Sequence, residues 1–122
     1  MAKQTLLLYD PEGVPWAGKL RQVCAIQGFR FRAVDRTDLD RTVGALAEGL
    51  KRAGEPEKCA DVPETVIVFC GVGSAQLDRL LQALRKMGVP RNCLKAVLTA
   101  QNAKWPFHVL YEELVKERTA LS

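Results

Sequence analysis

The sequence predicts an α/β fold built on a four-stranded parallel sheet, because strand-like and helix-like segments alternate four times along the chain. The first and third strand-like runs, 5–9 and 65–70, are apolar along their length, as in strands covered on both faces. The second and fourth, 29–34 and 94–99, contain basic residues, which favour sheet edges. The sequence therefore predicts the order 2-1-3-4, with right-handed crossovers and helices on both faces.

The first two strand-helix pairs are delimited by turn-forming residues. Thr5–Tyr9 stops at Asp10-Pro11-Glu12-Gly13, and the following helix ends at Gly28. The inward face of that helix consists of Trp16, Leu20, Val23, Cys24 and Gln27. After the strand 29–34, Thr37-Asp38-Leu39-Asp40 predicts a capped helix start. An apolar stripe from Leu39 to Leu50 then predicts a long second helix that ends near Gly54.

The remaining pairs follow the same plan. Residues 65–70 lead through Gly71-Val72-Gly73-Ser74 into a helix whose leucines repeat at helical spacing until Gly88. Residues 94–99 form the last strand, and Pro106 fits the first turn of the last helix. No sequence repeat links the four pairs.

Composition narrows the class of protein. The 122 residues are 48% apolar and 26% charged, which matches one globular domain spanning 1–122. No apolar run approaches the roughly 18 to 20 residues that cross a bilayer, and no signal-peptide core precedes the first strand. We therefore expect a cytoplasmic protein without a membrane partner.

The charge distribution and the cysteine content narrow the class of protein further. The net charge of +4 is dispersed, and the densest arginine group, within 30–41, is interrupted by aspartates, so we expect no nucleic-acid partner. The four cysteines contain no C-x-x-C pair, and there is a single histidine. We expect reduced, structural thiols, no metal site and no cofactor.

Topology predicts where a ligand would bind. In an all-parallel sheet of order 2-1-3-4, the direction of winding reverses between the first and third strands, and ligands bind in the crevice beyond the carboxyl ends there. Asp10 would line one side of this crevice. The run Cys70, Gly71, Gly73 and Ser74 would line the other.

Each of these motifs has a functional and a structural interpretation. The glycine turn could capture an anion at a helix amino terminus, or simply connect strand to helix. Gln76 stands where a dinucleotide fingerprint needs glycine and a cysteine-phosphatase loop needs arginine. Cys70 could be a nucleophile or a buried structural thiol. Asp10 and Asp35 could hold a cation or a ribose hydroxyl, or cap turns.

The second half resembles a short bacterial domain family described only as a domain of unknown function. The resemblance spans about residues 65–118 and rests on Lys95-Ala96-Val97-Leu98-Thr99, Asn102, Trp105 and Glu112-Glu113-Leu114, with Arg118 in place of a histidine. It implies a soluble bacterial protein and supplies no activity, cofactor or catalytic residue. It directs attention to Thr99, Asn102 and Trp105, after the last strand.

Two functions remain open from the sequence. The first is a non-catalytic module that binds a small molecule or a protein at the carboxyl-end loops of the sheet, through Asp10, the run from Cys70 to Ser74, Thr99, Asn102 and Trp105. The alternative is an enzyme that uses Cys70 for thiol chemistry or the glycine turn for phosphate chemistry. The residues favour the non-catalytic module.

Overall fold

The computed structural model describes residues 4–52 and 54–121, with side chains as far as residue 118. It contains a four-stranded sheet in the order β2-β1-β3-β4, which confirms the predicted strand order and the α/β class. The strands are β1 (Thr5–Tyr9), β2 (Arg30–Val34), β3 (Val66–Cys70) and β4 (Leu94–Val97).

The sheet is mixed, so the prediction of a wholly parallel sheet is wrong. β1 pairs with β2 in parallel, and β3 pairs with β4 in parallel. The two central strands, however, are antiparallel, with Thr5 opposite Cys70 and Tyr9 opposite Val66. The carboxyl ends of β1 and β2 therefore lie at one end of the sheet, and those of β3 and β4 lie at the opposite end.

The cause is the connection between β2 and β3. The helix after β2, α2 (Val43–Glu48), has six residues rather than the long stripe predicted from Leu39 to Leu50. The chain from Gly49 to Thr65 is otherwise without helix or strand where the structure describes it. The irregular segment that follows is anchored where the Tyr9 hydroxyl donates to the Val62 carbonyl at 2.7 Å. β3 therefore starts at the same end of the sheet at which β2 stops.

Helices cover both faces of the sheet, as predicted. α1 (Ala17–Gln27) and α3 (Ser74–Lys86) pack on one face, whereas α2 and α4 (Phe107–Leu121) pack on the other. Side chains alternate along the central strands, so Leu6 and Leu8 enter the first core while Leu7 and Tyr9 enter the second. Both faces of β1 and β3 are buried.

The described residues form two similar units. Each unit contains a strand, a helix, a parallel strand, a 3₁₀ turn and a second helix, over residues 5–48 in the N-terminal unit and 66–121 in the C-terminal unit. The 3₁₀ turns are Arg36–Asp38 and Asn102–Lys104. The units also pair in front of α2 and α4, where Val43 N–H donates to Trp105 O and Phe107 N–H donates to Arg41 O, both at 2.9 Å. This reciprocal pairing gives the molecule an approximate two-fold axis that passes between β1 and β3.

The packing of α3 gives a stability prediction. Leu80 is 1% exposed in the α1/α3 core, and Leu81 is only half-buried beside it. We expect Leu80→Ala to lower the free energy of unfolding by about 2 to 5 kcal/mol, because it leaves a cavity. Leu81→Ala should cost about 1 kcal/mol, since less apolar surface is lost. Denaturant titration measures both, and equal losses would contradict this orientation of α3.

Candidate functional site

The residues predicted to line one crevice lie at opposite ends of the strands. Asp10 follows β1, and Thr65, which precedes β3, lies at the same end of the sheet. The turn from Gly71 to Ser74 follows β3 at the other end of the sheet, together with Thr99 after β4. The antiparallel pairing of β1 and β3 causes this separation. Ligand binding by these residues stays a prediction, but they do not form one site.

Asp10 organises the loop that follows β1. Its carboxylate accepts hydrogen bonds from the Gly13 N–H at 2.9 Å and the Val14 N–H at 3.0 Å. The same carboxylate lies 3.1 Å from the Thr65 hydroxyl, which is also 2.8 Å from a Glu12 carboxylate oxygen. These contacts fit the turn-capping interpretation of Asp10.

The glycine turn is an exposed connection, and the side chain of Gln76 contacts the start of the helix that follows it. Gly73 is the N-cap of α3, and Ser74 is its first residue rather than its cap. The Gln76 side-chain oxygen accepts from the Gly73 N–H at 3.4 Å and from the Gln4 side-chain amide at 2.6 Å. Gln76 therefore lies across the amino terminus at which an anion would bind.

Cys70 is fully buried, with 0% exposure, in the core between the sheet and the helices α2 and α4. Burial raises the pKa of its thiol to about 12, so the thiolate is strongly disfavoured at neutral pH. This environment fits a structural cysteine. It gives no support to the alternative of an enzyme with Cys70 as nucleophile.

Asn102 is 9% exposed and connects β4 to the 3₁₀ turn after it. Its side-chain oxygen accepts from the Thr99 N–H at 2.8 Å, and its amide donates to the Val97 carbonyl at 3.0 Å. The Thr99 hydroxyl accepts in return from the Asn102 N–H at 3.1 Å. Trp105 is half-buried against the α2/α4 core, and its carbonyl accepts from Val43 N–H. The polar groups of Asn102 thus serve the turn itself.

These hydrogen bonds predict the effect of removing Asn102. Asn102→Ala should lower the free energy of unfolding by about 1 to 2 kcal/mol, because the Thr99 N–H and the Val97 carbonyl lose their hydrogen-bond partner. Asn92→Ala, at an exposed asparagine, should stay within about 0.5 kcal/mol of wild type. Thermal or denaturant unfolding measures the difference, and a neutral Asn102→Ala would contradict the structural role.

Thiol alkylation tests the placement of the cysteines. Cys59 is exposed, whereas Cys24 and Cys70 are buried and their pKa values are raised to about 11 and about 12. Iodoacetamide should modify Cys59 in the native protein, faster as the pH rises, because the thiolate reacts. Cys24 and Cys70 should react only after denaturation. Peptide mass spectrometry reads each site, and rapid native labelling of Cys70 would contradict its burial.

Two cavities flank the edge strand β4 instead. The first, of about 350 Å³, lies on the α3 side, and its apolar floor consists of Leu81, Leu84 and Val89. The other lining residues of this first cavity are all basic: Arg85, Arg91 and Lys95. An apolar floor beneath three cations suits a ligand that is both apolar and anionic.

The second cavity, of about 580 Å³, is shallow and open to solvent, and it lies on the α4 side of the same strand. It shares Arg91 and Lys95 with the first cavity and is lined further by Leu94, Leu114 and Glu117. Because both cavities contain Arg91 and Lys95, they form one groove around the edge of β4. We call this surface, defined by the two sets of lining residues, the β4 groove.

The α4 wall of the β4 groove is held by an ion pair. Both nitrogens of the Arg118 guanidinium contact the two Glu64 carboxylate oxygens, at 2.8 and 2.9 Å, and the Tyr111 hydroxyl donates to Glu64 at 2.9 Å. Arg118 and Tyr111 lower the pKa of the Glu64 carboxyl. Arg118 also donates to the Asn92 carbonyl at 3.2 Å. Its charge is therefore compensated, whereas Arg85 and Arg91 are exposed cations.

Lys95 is expected from the sequence as an edge residue, whereas the other basic residues of the groove, Arg85 and Arg91, are not among the predicted site residues. A signal for them exists, because residues 85–95 contain Arg85, Lys86, Arg91 and Lys95 and no acidic residue. Arg85 and Arg91 lie on opposite sides of the Gly88 turn, which brings them together beside β4.

The comparisons with known proteins concern the C-terminal unit. Residues 65–121 match the family model described as a domain of unknown function (DUF3783), which confirms the resemblance at that level. The particular residue pattern and the bacterial origin stay expectations. Neither a curated protein nor a solved structure matches the chain. Within the described residues, no helix is both long enough and apolar enough to span a membrane.

Proposed function

We propose that the protein is a non-catalytic interaction module that binds an extended, acidic segment of a partner protein along β4. The observation that carries this proposal is the β4 groove, in which apolar and basic surfaces lie on both sides of an edge strand. A strand added to a sheet gains affinity from main-chain hydrogen bonds and specificity from pockets for alternate side chains. The whole groove lies within the segment 65–121 that matches the domain family.

Main-chain groups on the outer side of β4 support strand addition. The Leu98 N–H donates inward to the Phe69 carbonyl, so alternation along the strand directs the N–H and C=O of Lys95 and the N–H of Val97 outward. The Val97 carbonyl takes the Asn102 amide, and the Cys93 carbonyl takes the Lys95 ammonium at 3.0 Å. An incoming strand would therefore pair chiefly with Lys95 and the N–H of Val97.

Charge favours an acidic partner over a second copy of the chain. Pairing β4 with β4 of another molecule would bring Arg91 and Lys95 of both copies together, and like charges facing each other across strands destabilise pairing. Glutamate or aspartate side chains would instead face Arg85, Arg91 and Lys95. The two cavities on either side of one strand also fit an extended chain better than a compact molecule.

We also propose a reducing, cytoplasmic location for this interaction. The four cysteines are free, and Cys24 and Cys70 lie inside the hydrophobic cores as unpaired thiols. Such thiols persist where disulfides are not favoured.

Binding of a labelled peptide that alternates valine and glutamate tests the proposal. Fluorescence polarisation should show saturable binding, and Arg91→Glu should weaken it by about tenfold or more, because a favourable contact becomes repulsive. Arg79→Glu is the matched control, since it makes the same charge change on an exposed face of α3 outside the groove. Equal losses in both variants would point to net charge rather than the groove.

A proline substitution separates strand addition from charge attraction. Val97→Pro removes an outward N–H of β4 and should weaken binding of the peptide by about tenfold. Ala33→Pro removes an outward N–H of the opposite edge strand, β2, and should leave peptide binding unchanged. An acidic peptide of equal charge interrupted by prolines should bind poorly to wild type. If it binds as tightly as the alternating peptide, or if Val97→Pro changes nothing, the proposal is wrong.

A further inference from the structure

A third cavity, of about 210 Å³, lies on the α2 side of the other edge strand, β2. Arg32, Asp38, Arg41 and Gly49 line its polar part. Its volume is below the roughly 300 to 1,000 Å³ typical of pockets for drug-sized ligands, so it suits a small ion or functional group. It lies in the N-terminal unit, outside the β4 groove.

Arg41 is fixed at one side of this cavity by two neighbours. One guanidinium nitrogen lies 3.3 Å from the Asp38 carboxylate, and the other donates to the Leu50 carbonyl just after α2. The guanidinium is therefore held between the 3₁₀ turn and the end of α2. It is positioned before any ligand binds.

Arg32 provides the second cation, and part of its hydrogen-bonding capacity is unused. It lies opposite Leu7 in the β1/β2 register, which places its side chain on the α2 face of the sheet. Its Nε atom is buried, and no residue that the structure describes accepts a hydrogen bond from it. A buried donor without a partner is costly, and a cationic donor especially so. The two terminal nitrogens of Arg32 are not enclosed in this way and have no acceptor among the described residues, so they are the donors that an added anion can reach.

Gly49 makes room for the Arg32 guanidinium. A Cβ atom at Gly49 would collide with the carbon and both terminal nitrogens of that guanidinium. Gly49 also has a φ of 69°, a left-handed conformation that glycine adopts without strain. The planar guanidinium therefore lies directly against the Gly49 backbone, with the backbone as one wall of the cavity.

The local carboxylates do not neutralise both cations. Asp38 lines the cavity, but it already pairs with Arg41 and accepts from the Asp35 N–H at 3.0 Å. Asp40, close by in sequence, is bound by Arg52 through both carboxylate oxygens, at 2.5 and 2.9 Å. Arg52 holds the pKa of Asp40 well below its usual range. One guanidinium of the cavity, that of Arg32, is left to bind an anion.

We infer that this cavity binds a small oxyanion, either a phosphate group or a carboxylate. The Arg32 guanidinium would donate to it through its two terminal nitrogens, a paired geometry that arginine forms with both classes of anion. Arg41 adds positive potential from the facing side. The cavity shares no lining residue with the β4 groove.

Arginine side-chain NMR tests the site directly in the intact protein. We expect addition of inorganic phosphate, at constant ionic strength against chloride, to shift the Arg32 Nε–H resonance in a saturable way and to leave that of Arg30 unchanged. Arg30 is the matched control because it lies two residues earlier on the same strand and is exposed. Titration with acetate distinguishes a general oxyanion site, which responds to both ions, from a phosphate site, which responds to phosphate alone.

Two pairs of variants provide the control by substitution. Arg32→Lys keeps the charge but loses the paired donors, so it should weaken phosphate binding by about tenfold. Arg30→Lys should leave phosphate binding unchanged. Gly49→Ala should abolish binding by displacing Arg32. Gly28→Ala, at a helix end with φ of 78° and open space for a Cβ, carries the same backbone strain and should preserve binding. Unchanged Arg32 resonances with both ions, or undiminished binding by Arg32→Lys, would overturn the inference.

Discussion

The antiparallel pairing of β1 with β3 determines the rest of the architecture. Each unit contributes a parallel pair of strands, and the central contact joins the two pairs in opposite directions, with Leu7 opposite Val68 at its middle. Both strands are buried on both faces, so each of the two hydrophobic cores contains side chains of both units. The same arrangement places the carboxyl ends of the two strand pairs at opposite ends of the sheet. It also leaves β2 and β4 as the outer strands, and one proposed site lies at each of them.

Strand order could be predicted from the sequence, but strand direction could not. Order follows from side-chain chemistry, because Arg30, Arg32 and Lys95 cannot occupy a strand that is buried on both faces. Direction depends on where the chain re-enters the sheet, and no residue of the irregular segment before β3 signals that point in the sequence. The apolar stripe from Leu39 to Leu50 has helical periodicity, yet Thr42 rather than Thr37 caps the helix, and Gly49 ends it after six residues. The capping residues set the ends of this helix, and the periodicity alone does not reveal them.

The candidate sites show the same limit. Thr99 and Asn102 were named through the family resemblance, and the structure shows that their side chains and N–H groups form a reciprocal turn. The equivalent turn of the N-terminal unit uses Asp35 and Asp38 at the same spacing. Each of these turns is followed by a helix start at the pairing between the units, a likeness that the sequence alone does not show.

The approximate two-fold axis makes each unit the partner that completes the sheet of the other. The matched family domain corresponds to one unit, and a single unit alone would leave the inner side of β3 without a neighbouring strand. Here the completing unit belongs to the same chain, which makes their association independent of protein concentration. The two units also differ in sequence. One carries Lys95 and its neighbours on the outer strand, and the other carries Arg32 and Gly49, so that the chain is in effect a covalently joined heterodimer.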